Sequence, residues 1–109
     1  MVRENYRYSF ASGISFDAVE ESLLLAVLSA EGVYGRSRVR LDGWFSSDTR
    51  RRRCYVDATT DVGRHIAQVF NGLLTKEFGE EEFEVDRVAD SEGENAGASD
   101  EASLSTLRL

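Results

Sequence analysis

His65 and Cys54 are the only imidazole and the only thiol in this 109-residue chain, so acid–base or nucleophilic chemistry would have to be built around them. They stand in segments of different periodicity, and one His with one Cys makes no zinc set of ordinary spacing. A Ser-His-Asp hydrolase needs a base oriented by an acid and a serine on a strained turn, and the chain holds no G-x-S-x-G. Phosphate-loop and dinucleotide fingerprints are missing as well. Glu80-Glu81-Glu82 would attract a divalent cation only loosely and reads as a solvated charge run. No catalytic residue, cofactor or metal is therefore expected, and the chain reads as non-enzymatic. Charge and leucine carry the remaining signals. The four consecutive positive charges Arg50-Arg51-Arg52-Arg53 repel one another and would bind phosphate, an acidic partner, or the chain's own acidic end.

The elements that position these residues follow from periodicity. Tyr6-Arg7-Tyr8-Ser9-Phe10 alternates aromatic with polar side chains, which predicts a half-buried strand. Ser15 reads as the N-cap of a first helix, with Ile14 and Val19 as a hydrophobic staple and Asp17, Glu20 and Glu21 near the positive end of its dipole. That helix is expected to end near Ala30 or Glu31, with Gly32 as its cap. Gly32-Val33-Tyr34-Gly35 is a GxxG; in KH domains such a loop joins two helices, but here a strand is expected to follow, so the glycine reads as a helix stop. Val39, Leu41, Gly43 and Phe45 alternate with Arg38, Arg40, Asp42 and Trp44, which predicts a second strand from Ser37 to Ser46. After a turn at 47–50, Cys54, Val56 and Ala58 alternate with Arg53, Tyr55, Asp57 and Thr59 in a third strand, which forms a hairpin with the second. Cys54 is thus expected to be a reduced, buried and inert thiol. Thr60 or Asp61 caps a second helix whose apolar positions keep helical spacing to Phe78, with Gly79 as C-cap. His65 falls off its apolar arc and is expected to face solvent. Residues 82–88 alternate again, with Phe83 and Val85 inward.

The order βαββαβ predicts an α+β, ferredoxin-like sandwich: a four-stranded antiparallel sheet in the order 4-1-3-2 with two helices on one face. On that scheme the open face shows Arg7 and Ser9 from strand one, Arg38, Arg40, Asp42 and Trp44 from strand two, and Arg53, Tyr55, Asp57 and Thr59 from strand three. Glu84 and Asp86 come from strand four, and Arg51 lies close by. Basic residues interleaved with aromatics on a four-stranded sheet of this order are similar to those of RNA-recognition motif domains, where exposed aromatics stack on bases and Arg holds phosphates. The resemblance implies an RNA or single-strand site at Arg38, Arg40, Trp44, Arg51, Arg53 and Tyr55. The sequence departs from that family's pattern: strand one puts Tyr6, Tyr8 and Phe10 on the other face, and the Lys/Arg-Gly-aromatic motif is missing from strand three. Solvated cross-strand pairs account for the same charges.

The first helix carries the stronger signal. At 100° per residue, Phe16, Val19, Leu23, Ala26, Val27 and Ala30 fall on one arc, the expected core stripe. Leu24, Leu25 and Leu28 fall well off it, flanked by Glu20, Glu21 and Glu31, where an amphipathic helix on a sheet should be polar. A leucine trio there fits contact with a second subunit or another protein.

Charge is divided along the chain. Residues 1–78 hold 11 basic and 10 acidic groups, and residues 79–109 hold 2 and 10, so the net −7 belongs to the end. Residues 89–109 read as a flexible acidic tail following a domain over 1–88, since most of that stretch lacks large apolar residues. Its last residues recover Leu104, Leu107 and Leu109, the pattern of a docking peptide. The longest apolar run, Leu23 to Leu28, is six residues, against about 20 for a membrane span. With a polar start and a lone cysteine, a cytoplasmic protein is expected. The expected function is that of a small interaction or self-assembling domain, a homo-oligomer or the partner of another protein. Nucleic-acid binding is the alternative.

Overall fold

Tyr8 stands at the centre of the sheet, in β1 (Asn5–Phe10), directly opposite Cys54 of β3 (Arg53–Asp57) on one side and Val85 of β4 (Phe83–Val88) on the other. A computed structural model describes residues 4–88 of the chain. Directly opposed residues of antiparallel strands share a face. Tyr6, Tyr8 and Phe10 therefore stand on one face with Cys54, Val56, Phe83 and Val85, joined by Phe45 of β2 (Phe45–Asp48). The other face carries Arg7, Ser9, Ser46, Asp48, Arg53, Tyr55, Asp57, Glu84 and Asp86. The four strands pair antiparallel in the order β2-β3-β1-β4, which is the expected 4-1-3-2 order seen from the opposite edge.

Three helices, rather than the expected two, accompany this sheet: α1 (Phe16–Tyr34), α2 (Arg36–Asp42) and α3 (Asp61–Phe78), with a single 3₁₀ turn at Glu80–Glu82. The Tyr8 ring packs against Phe70 of α3 at 4.8 Å, and its hydroxyl donates to the Ala67 carbonyl at 3.4 Å. Phe10 meets Phe16 of α1 edge-on at 5.9 Å. Around these contacts α1 buries Phe16, Val19, Leu23, Ala26, Val27 and Ala30, the stripe that its periodicity predicts, together with Ser22. From α3, Val62, Ile66, Phe70 and Leu74 complete the core. Among the described residues no helix is long and apolar enough to cross a membrane.

Capping follows the sequence at three of the four ends of α1 and α3. Ser15 Oγ accepts from Ala18 N at 3.3 Å, Thr60 Oγ1 accepts from Gly63 N at 3.0 Å, and Gly79 closes α3. The exception is the end of α1, which runs past Gly32 to Tyr34 and is closed by Gly35 at a φ of 91°. The strand expected over Ser37 to Ser46 is also corrected. Residues 36–42 form α2, and the extended segment begins only at Phe45. Within residues 36–42 only Val39 and Leu41 carried the alternation, and the structure buries Val39 while leaving Leu41 84% exposed. Arg and Leu are good helix formers, and Arg38 pairs with Asp42 one turn on, Nε to Oδ2 at 3.1 Å. A ten-residue strand would also have overrun its partner, because β3 has five residues.

At Gly63 the first turn of α3 is pressed against the end of β3, and a Cβ there would sit 1.8 Å from the Asp57 carbonyl oxygen. Gly63→Ala is expected to destabilise the chain by about 1–3 kcal/mol. Gly72→Ala, where nothing lies within 4 Å, should be neutral or stabilising by up to about 1 kcal/mol. Urea unfolding of the two variants separates these outcomes.

Cys54 is a free thiol and fully buried, as its strand position predicts. Burial, with the Glu20 carboxylate a smaller cause, pushes the thiol far above its ordinary range. Burial, with smaller effects from Tyr6 and Cys54, does the same to the Tyr8 phenol. Both groups keep their protons in the folded chain where the unfolded chain releases them. Their contribution to stability is therefore complete below about pH 8.5 and is lost as pH rises above it. The urea midpoint should fall between about pH 8 and pH 10.5, and a thiol reagent should label Cys54 only on unfolding. Rapid labelling of the native chain would contradict this account.

Candidate protein-interaction surface

The side of α1 turned away from the sheet is built by helical spacing. Asp17, Glu21, Leu25, Leu28 and Gly32 follow one another at intervals of three or four residues and so fall along one line of the helix. Leu24 adjoins that line. Every one of these six residues is exposed, with Leu24, Leu25 and Leu28 at 42%, 55% and 58%. Val33, near the end of the same helix, is 63% exposed. Since Leu23, Ala26 and Val27 are buried on the inner side, α1 is apolar on two sides: one makes the core and the other has no cover among the described residues.

Polar contacts flank this line without masking it. Glu20, on the sheet side, accepts from Ser47 Oγ at 2.7 Å and so ties α1 to β2. Ser29 Oγ lies 3.0 Å from His65 Nε2, and the His65 ring meets Tyr34 edge-on at 5.7 Å. The expected solvent-facing His65 is thus corrected to a half-buried residue in the seam between α1 and α3. Among the described hydrogen bonds no carboxylate orients its ring, so the Ser29–His65 pair joins two helices and forms no triad. Ser29 and Tyr34 escape sequence reasoning because their contact with His65 crosses more than 30 positions. The only signal is that each borders an apolar stripe.

The basic residues do not gather on one face. Arg38 and Arg40 belong to α2, whose Val39 is part of the helix-side core. Arg38 also lies over the Tyr34 ring, 5.2 Å from its centroid. Trp44 immediately precedes β2 and is half-buried; its carbonyl accepts from Asp57 N at 3.0 Å. Arg53 and Tyr55 do share the open face of β3, opposite Asp48 and Ser46, but Tyr55 is only 6% exposed and Ser46 and Asp57 are buried too. Arg7 pairs with the opposing Asp86 at 3.3 Å, as a solvated cross-strand pair would.

In the arginine run, Arg52 is taken up locally. Its guanidinium donates to the carbonyls of Ala11 and Ile14 and lies 5.8 Å from the centroid of Phe16. Its backbone takes a φ of 56°, which closes the turn between β2 and β3. Arg51 N donates to Asp48 Oδ1 at 3.2 Å in that turn, while Arg50 is exposed. Residues 89–109, with Leu104, Leu107 and Leu109, lie outside the described residues. Among those described, no group of three or more His, Cys, Asp or Glu side chains is placed to hold a metal ion.

The fold and this surface describe an α+β domain with one uncovered apolar helix face. Set beside protein-family models, curated proteins and solved structures, the chain matches none of them.

The two sides of α1 should respond differently to substitution. Leu23→Ala is expected to cost about 2–5 kcal/mol, whereas Leu25→Glu/Leu28→Glu should change the stability of the dilute chain by about 0.5 kcal/mol or less per site. Chemical denaturation at low protein concentration measures both. Equal losses would place all three leucines in the core.

Proposed function

We propose that this protein is a small, non-enzymatic interaction domain that binds another polypeptide chain, its own or a foreign one, through the outward face of α1. We read its scaffold as a ferredoxin-like sandwich to which α2 has been added. The strand order, and the helical connection between β1 and β2 and again between β3 and β4, support that reading.

The observation that carries the function is the row of Leu24, Leu25 and Leu28 on the outer side of a helix whose inner side already closes the core. Isolated exposed leucines need no explanation, but three within two turns form a contiguous patch. Taking such a patch out of water releases about 25 cal/mol for each Å² buried, and none of the other described residues covers it. Acidic residues at its border, Glu21 and Glu31, supply the polar rim usual around an apolar contact. The terminal Leu104, Leu107 and Leu109 make a second, separate contact in this proposal, on the strength of their spacing at the end of an acidic segment.

The test is multi-angle light scattering of the full chain and of Leu25→Glu/Leu28→Glu, each alone and after incubation with a cell extract. A species heavier than the monomer that the wild type forms and the variant loses is the expected result. Identical masses for both chains under both conditions would overturn the proposal.

A further inference from the structure

Much of the sheet face turned away from the helices is buried. Ser46, Asp48, Tyr55 and Asp57 of β2 and β3 are buried there, and so is Val88, two residues on from Asp86 at the end of β4. The three helices pack on the other face, so no described helix or strand lies over these side chains. Three buried polar atoms on this face also have no hydrogen-bond partner among the described residues: Ser46 Oγ, Arg7 Nε, and Asp48 Oδ2, which is 4.0 Å from Arg51 Nε. Buried donors and acceptors must be satisfied, and a peptide segment supplies both kinds of group.

We propose that residues 89–109 of the same chain cover the β2–β3 half of this face, their acids beside Arg50, Arg51 and Arg53 and their terminal leucines against Tyr55. Charge favours this occupant. Residues 89–109 hold five acids and one base. The buried half adjoins the arginine run, whereas Glu84 and Asp86 of β4 stand exposed on the other half. An acidic cover settles beside the bases and avoids the acids. Asp48 and Asp57, the acids beneath it, are held locally: Asp48 Oδ1 accepts from Arg51 N at 3.2 Å and Asp57 Oδ1 from Thr59 N at 2.9 Å. Leu104, Leu107 and Leu109 are the large apolar side chains of the segment, and Tyr55 is the large ring buried on β3.

Reach favours it too. β4 delivers the chain at Val88, on this face. Three interstrand spacings, about 14 Å, separate β4 from β2, a distance that about five extended residues cross, and 21 residues follow Val88. Residues 1–3 fail on both counts. They hold Arg3 and no acid. The Glu4 carbonyl accepts from Ala58 N, and Asp48 lies opposite Arg53, five residues along β3 and about 17 Å away. Three residues span at most about 11 Å. The covering assigns a seat to the contact of the terminal leucines and does not depend on the α1 face, which lies on the far side of the molecule.

Paramagnetic broadening in the full chain tests the covering, with a nitroxide attached at Ser105→Cys. Cys54 is buried, and wild type treated with the same reagent controls for it. The amide signals of Ser46, Asp48, Arg53 and Tyr55 should be lost and those of Leu25 and Leu28 kept. Salt at about 1 M, which screens charge beyond about 3 Å, should restore most of the lost intensity, and so should Arg50→Glu/Arg51→Glu. If that variant fails to fold by circular dichroism, salt alone reads the charge contact. Isotope-labelled wild type mixed with unlabelled, nitroxide-bearing chain should keep all its signals, because the contact lies within one molecule. Loss confined to α1, or no loss anywhere in residues 4–88, would overturn the covering. Equal loss in the mixture would place the segment on a second copy and overturn it as well. Loss that persists unchanged in salt would overturn the pairing of the acids with the arginine run.

Discussion

Tyr8 couples the two layers of this protein. It lies in a central strand, fully buried, with Cys54 and Val85 beside it in the neighbouring strands and the Phe70 ring above it. A phenol so deep in an apolar layer must find an acceptor, and the Ala67 carbonyl of α3 provides one. Together with Tyr6 and Phe10 on the same side of the strand, Tyr8 sets which face of β1 turns toward the helices. Since opposed residues share a face, the orientation of β1 passes through the ladders to β3, β2 and β4. The positions of Phe45, Cys54, Val56 and Phe83 under the helices all follow from it.

Once that face is set, α1 has one side committed and one side left over. Its inner stripe of Phe16, Val19, Leu23, Ala26, Val27 and Ala30 fills the layer over the sheet, and the seam with α3 is closed by Ser29, His65 and Tyr34. No part of the described domain reaches the outer leucines. An exposed apolar patch of this kind is the sort of surface through which proteins make contacts.

Much of the fold is legible along the chain because its signals are local. Period-2 alternation marks β1, β3 and β4. Ser15 and Thr60 mark helix starts, and the apolar spacing of α1 and α3 names the core-facing residues. The sheet order follows from the order of elements and the handedness of crossovers. Illegible were the places where local signals were weak or divided. Residues 36–42 alternate like a strand over too short a span, and burial of Val39 in the core, with the Arg38–Asp42 pair one turn apart, goes with α2. Gly32 and Gly35 are both competent helix stops, and the chain uses the second, at a positive φ that glycine tolerates. The arginine run reads as one patch in sequence, yet a tight turn spends Arg52 on backbone carbonyls and divides the rest between turn and strand.

The sequence by itself determined the strand and helix periodicities, the antiparallel sheet order, the burial of Cys54 and the presence of a leucine trio off the core arc of α1. These depend on which residues neighbour each other along a strand or around a helix, and that geometry is the same in every protein. Only the tertiary structure decided that residues 36–42 coil into a helix, that His65 meets Ser29 and Tyr34, that Tyr55 is buried, and that no other described element covers Leu24, Leu25 and Leu28. Each of those outcomes depends on what arrives from a distant part of the chain, and local periodicity holds no record of it.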